Sequence, residues 1–161
     1  MKSLKVTILL FLMAFLTPSS AFSKCYSRAE AEADQGIRIH SELMVIGLNC
    51  QTIGARHGLN LFGEYREFTG DHADLFARYE DILMNFYSKN GGTPKKQLND
   101  LRTTYANKIS KVAASSRPDV FCARNAIRIE KASAMQRQDL RRWASTLYPT
   151  HPVSYPLCES S

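Results

Sequence analysis

Several chemistries lack their residues in this chain. There is no C-x-x-C pair and no C-x-x-C-H, so the thioredoxin-type redox motif and covalent haem attachment are both missing. No G-x-S-x-G marks a hydrolase nucleophile turn. No Glu-x-x-His pair supplies the ligands that di-iron helical bundles carry on facing helices. Glycine-rich phosphate loops are absent too, and Gly91-Gly92 reads as a turn. No alternating strand pattern and no internal repeat stands out. Tryptophan occurs once, as Trp143.

Long apolar runs are equally scarce. The longest is Val6 to Leu16, 11 residues, too short to cross a bilayer of roughly 30 Å as a helix. It follows Lys2 and Lys5 and precedes the small residues Ser19, Ser20, Ala21 and Ser23. That order is the anatomy of a secretory signal, residues 1–23, cleaved after Ser23 or alternatively after Ala21. Lys24 before Cys25 argues against a lipoprotein signal. The expectation is a periplasmic or secreted protein with no transmembrane segment once the signal is removed. Residues 24–161 then form one domain, long enough to bury a sizeable core. That part holds 19 basic and 15 acidic residues, unevenly spread. Residues 24–89 carry 7 basic against 10 acidic, and residues 90–161 carry 12 against 5. The two halves can attract each other, or the basic half can meet an anionic partner.

What the chain does have is helical periodicity. Leu61, Tyr65, Phe68, His72, Leu75, Tyr79, Ile82 and Phe86 recur at spacings of three and four, a stripe that other elements must cover. The pattern predicts four helices, at about 27–48, 60–87, 94–114 and 118–147. Ser27 and Glu30 form a capping box for the first, and residues 49–59 read as a non-helical connector because of Gly54 and Gly58. Gly70 followed by Asp71 and Asp74 resembles a fresh helix start, but the unbroken spacing favours one continuous second helix. Thr93-Pro94 and Pro118 open the third and fourth. Pro149, Pro152 and Pro156 keep the tail, 148–161, out of helix. The expected fold is all-α: an antiparallel four-helix bundle with a proline-rich C-terminal strap.

Four cysteines in an exported chain point to two disulfides. In an up-down bundle Cys50 and Cys122 share one end, and Cys25 and Cys158 share the other. That geometry selects Cys50–Cys122 and Cys25–Cys158, each closing a long loop worth about 4–5 kcal/mol in the chain-entropy model.

Candidate sites are few. His40 and His72 lie on inferred core faces, and Asp71 and Asp74 flank His72; together they are the metal-ligand types present. Packing is the simpler role for each histidine. Haem ligation by His40 or His72 with Met44, Met84 or Met135 has the residue types but no supporting spacing. Glu64 with Glu67, or Asp71 with Asp74, are carboxylate pairs that helices more often present to solvent. No cofactor is expected. The fourth helix carries Arg124, Arg128, Arg137, Arg141 and Arg142, an imperfect basic strip and the best binding face in the chain. It suits an anionic envelope component, a protein partner or the acidic half of the same domain. Nucleic acid is not expected, since few aromatics lie beside the arginines.

Ile39-His40-Ser41-Glu42-Leu43-Met44-Val45-Ile46-Gly47-Leu48-Asn49-Cys50, with Tyr105 to Ser110 and the Phe121-Cys122 pair, resembles a group of small four-cysteine exported helical proteins of alphaproteobacteria, of uncharacterised function. The resemblance implies export and a shared cysteine framework, and no activity. The function expected from the residues is a non-enzymatic, disulfide-stapled binding or interaction module. The alternative is a helical bundle that binds a small molecule or metal.

Overall fold

The computed structural model describes residues 24–158; the signal-like segment 1–23 lies outside the described residues. Among the described residues the secondary structure is helical, six helices: α1 Arg28–Arg56, α2 Leu61–Asp71, α3 Ala73–Lys89, α4 Pro94–Ala114, α5 Pro118–Ser133 and α6 Arg137–Ser145. Among the described residues no strand forms, only the isolated bridges Tyr26–Leu157 and Tyr148–His151. None of these helices is long and apolar enough to cross a membrane.

The centre of the fold is α1, and each of the other five helices packs against it. Ala31, Ala33, Ile37, Ile39, Leu43, Val45 and Ile46 are buried, and from Ala31 to Gly47 the helix has no exposed residue. The capping box forms as expected: Ser27 Oγ accepts from Glu30 N, and Glu30 accepts from Ser27 N at 2.7 Å. The far end differs from the expectation. Helix continues through Cys50 to Arg56, because Gly54 is tolerated where Leu61 packs on it. It stops in a Schellman motif, with Leu59 N donating to Gly54 O and Gly58 N to Ala55 O. Gly58 takes the left-handed position, φ 74°.

Two of the four expected helices are each two helices, so six replace four. The 60–87 stretch breaks at His72 (φ −111°, ψ 16°), which ends α2 and starts α3. One non-helical residue preserves the three-four spacing, so the stripe still buries Tyr65, Phe68, Leu75, Phe76, Tyr79 and Phe86. The 118–147 stretch breaks at 134–136, where Asp139 accepts from Gln136 N and so caps a new helix. The two breaks meet. His72 Nε2 donates to the carbonyl of Met135, 3.1 Å away, a group left without a helical partner by the second break.

Two disulfides form, Cys25–Cys158 and Cys50–Cys122, with Cα separations of 4.9 and 5.4 Å. The tail lies along the start of α1. Tyr26 N donates to Pro156 O at 2.7 Å, and Cys158 N donates to Tyr26 O at 2.9 Å. The rings of Tyr26, Phe86 and Tyr155 meet edge to face, with centroids 4.6 to 5.1 Å apart. Disulfides of this kind are characteristic of oxidising compartments.

Candidate functional site

The centrality of α1 places polar side chains in the interior. Gln35, Arg38 and Glu42 follow at spacings of three and four, so they line one face of α1. They are 0, 3 and 5% exposed. Burial of such groups is tolerable only when they are paired. Arg38 Nε donates to Gln35 Oε1 at 2.5 Å, and Arg38 Nη1 donates to both Glu42 oxygens at 3.1 Å. Arg128, from α5, donates through Nη2 to Glu42 Oε2. Gln35 Nε2 donates to the His151 carbonyl at 2.7 Å, tying the tail to the same ladder. Burial alone would raise the Glu42 carboxyl, but Arg38 and Arg128 outweigh it and hold the group below its ordinary value.

A cleft of about 290 Å³ opens over this ladder. Its walls are Arg38, Arg128, Trp143, Tyr148 and His151. Trp143 comes from α6, and Tyr148 and His151 come from the tail that follows it. The cleft has two guanidinium groups against the single carboxylate of Glu42, a surplus of one positive charge. Arg38 Nη2 and Arg128 Nε and Nη1 make no hydrogen bond among the described residues. The His151 imidazole is held below its ordinary pKa by partial burial and by the Arg38 charge. Arginines with free donors, an imidazole and two aromatic rings can hold an anion and the apolar body attached to it.

A second polar node lies one step toward the start of α1. Tyr105 and Ser154 hydroxyls donate to the two oxygens of Asp34, and Ser154 N adds a third bond at 3.3 Å. Burial raises the Asp34 carboxyl despite those three donors. The Tyr26 hydroxyl lies 3.1 Å from Ser154 Oγ, so the tail is fastened to α1 through this node.

The expected binding face is divided. Arg128 enters the cleft just described. Arg137 and Arg141 instead line, with Arg78 and Tyr79, a separate hollow of about 130 Å³. There Arg141 pairs with Glu32 at 2.9 Å, and Arg137 pairs with Asp74. Arg142 is exposed and lies 3.4 Å from Asp139. Arg124 is exposed on α5 and has no ion pair among the described residues. The break at 134–136 turns α6 away from the line of α5, so one strip on paper becomes two basic sites. Much of it meets acidic residues from the first half of the chain, Glu32, Glu42 and Asp74.

The metal-ligand candidates do not converge. His72 is buried against Phe68 and bonded to Met135, Asp74 pairs with Arg137, and Asp71 is exposed. His40 packs edge-on against Phe76 and Tyr65. Among the described residues no group of three or more His, Cys, Asp or Glu side chains could hold a metal ion. A larger hollow, about 370 Å³, opens between the end of α1, α2 and α5; Ile53, Leu59, Leu61, Ala123 and Ala126 make it mostly apolar.

The sequence reading missed Arg38, Glu42, Tyr148 and His151 as site residues. Arg38 and Glu42 carry the i,i+4 signature of a wet helix face, and only the burial of α1 on all sides overrides it. Compared with protein-family models, with curated proteins and with solved structures, the chain matches none of them.

Proposed function

We propose that this is a non-enzymatic, exported binding module that holds an anionic group of a periplasmic or envelope partner in the Arg38–Arg128 cleft. One observation carries the reading: two arginines share a single buried glutamate and keep free donors beside Trp143 and Tyr148. Two disulfides suit a protein working outside the cytoplasm, and the signal-like N-terminus supports export. The disulfides and the tail's contacts with α1 support the idea of the tail as a strap that completes the site.

Trp143 is the sole tryptophan, so its emission reports on the cleft directly. Titration with carboxylates, phosphates and anionic polysaccharides should shift or quench that emission. Arg128→Ala should weaken the effect by at least about tenfold, the scale of losing a charge-assisted hydrogen bond. If no anion perturbs Trp143, or if a folded Arg128→Ala protein binds as well as wild type, the reading fails. The 370 Å³ hollow favours a second reading, carriage of a small apolar molecule, which saturable uptake of a hydrophobic dye blocked by Ala126→Trp would support.

A further inference from the structure

The cleft's chemistry narrows what it takes, on the premise that it is an anion site at all. We infer that its ligand is a small molecule or terminal unit bearing one carboxylate on a six-membered ring, with the carboxylate between Arg38 and Arg128 and the ring against Trp143 and Tyr148.

Charge argues for a monoanion. Arg38 and Arg128 against Glu42 leave one uncompensated positive charge, which a single carboxylate neutralises. A dianion would leave a net negative charge beside Glu42, itself 5% exposed, where solvent compensates poorly. Lys108, exposed on α4, adds to the positive field at His151 but is not a wall of the cleft.

Geometry argues for a planar anion. Gln35 and Glu42 hold the Arg38 guanidinium by three hydrogen bonds through Nε and Nη1, so its one unengaged nitrogen, Nη2, is fixed before any ligand arrives. The two coplanar oxygens of a carboxylate can bridge the unengaged nitrogens of the two arginines, Arg38 Nη2 on one side and Arg128 Nε or Nη1 on the other. The acceptors of the buried ladder are engaged: Glu42 by both arginines, Gln35 Oε1 by Arg38, and the His151 carbonyl by Gln35. What the arginines offer is donors.

Size and lining argue for a ring. A volume of about 290 Å³ stands at the lower edge of the roughly 300–1,000 Å³ usual for small-molecule pockets. It accommodates a single ring with a short substituent. Tyr148 is 47% exposed although it is large and aromatic, and it lines the cleft. A flat face laid on Trp143 or Tyr148 gains stacking or CH–π contact without needing further polar groups. An aromatic acid and a sugar acid share this chemistry.

The test is calorimetric titration of the intact, oxidised protein with phenylacetate, glucuronate, phenylacetamide, glucose, acetate and phenyl phosphate. One of the two ring carboxylates should bind, and which one does so identifies the source. Its uncharged partner, phenylacetamide or glucose, and ringless acetate should each bind at least about tenfold more weakly. Phenyl phosphate should bind less well than phenylacetate near pH 7.5. Tyr148→Ala, an exposed change, should cost the ring carboxylate about three- to tenfold and leave acetate unaffected. Tighter binding of phenyl phosphate, or equal binding of acetate and the ring carboxylates, overturns the assignment while the anion site stands. No binding by any anion, with normal folding, overturns both.

Discussion

Gly36 shows how a single residue decides the packing of the centre. A Cβ there would lie 2.3 Å from Cδ2 of Tyr79, a ring that is 2% exposed and donates its hydroxyl to Glu32 at 2.9 Å. The sequence offers no reason for a glycine inside a helix that it weakens by about 1 kcal/mol. The close approach of α3 is the reason. Gly36→Ala should therefore destabilise the protein by about 1–3 kcal/mol, as overpacking does, despite its better helix propensity. A higher urea midpoint in the variant would contradict this. His40 makes a second residue-scale prediction. Burial, then the Arg102 charge, lowers its pKa from 6.5 to about 4. The unfolded chain thus binds the proton more readily than the folded one between those values. Stability from this residue is fully present above pH 6.5 and is lost as pH falls toward 4, to an extent on the order of 3 kcal/mol. His40→Gln should flatten that part of the pH profile in denaturant titrations, whereas an unchanged slope would mean that other groups set it.

At the scale of elements, the helix breaks at His72 and at 134–136 hold each other. His72 donates its ring N–H to the carbonyl of Met135 and sits edge-on to Phe68, so the first break is a tertiary feature rather than the work of Gly70. Gly70 is exposed, and a Cβ there meets nothing within 4 Å. Gly70→Ala should stabilise the protein by about 0.5–1 kcal/mol and leave the break in place. Chemical-shift mapping would show whether residues 71–73 change state; a helix continuous through His72 would count against this account. The four-helix reading came from a period that survives the first interruption and from a last helix read straight through its polar middle. One residue outside the helix at His72 does not disturb a three-four repeat, and Gln136 with Asp139 looks in sequence like any polar pair on a wet face. The polar middle of the last predicted helix was the visible trace of the second break. The start of α1 was legible because Ser27 and Glu30 are a local signal, and its extension to Arg56 was not, because Gly54 is excused only by Leu61.

For the whole molecule, the two disulfides do different jobs. Cys50–Cys122 joins α1 to α5 far from the tail, while Cys25–Cys158 closes the tail that carries Tyr148 and His151. Replacing either pair by serine should cost about 2–4 kcal/mol. The Cys25–Cys158 replacement alone should also weaken ligand binding in the cleft, as read by Trp143 emission in protein that remains folded. Equal binding losses from both replacements would indicate a general loosening instead. The fold class, the cysteine pairing and the burial of the aromatic stripe were all open to sequence reasoning, because each depends on local periodicity or on which end of a helix a residue occupies. The arginine strip was not, since its unity depended on one straight helix that the fold divides.

The sequence by itself determined that the chain is helical, where α1, α4 and α5 begin, and that its cysteines can join one end to the other. Only the tertiary structure decided that α1 is the centre, because a helix with Glu42, Arg38 and Gln35 on one face reads as amphipathic until five others surround it. Only the tertiary structure, too, assembled the cleft. Its arginines are 90 residues apart in the chain, its rings come from a helix and a tail, and its charge surplus exists only where they meet. Periodicity records which face of an element is apolar; which distant polar groups share a buried partner is set by packing, and packing is not written in any one stretch.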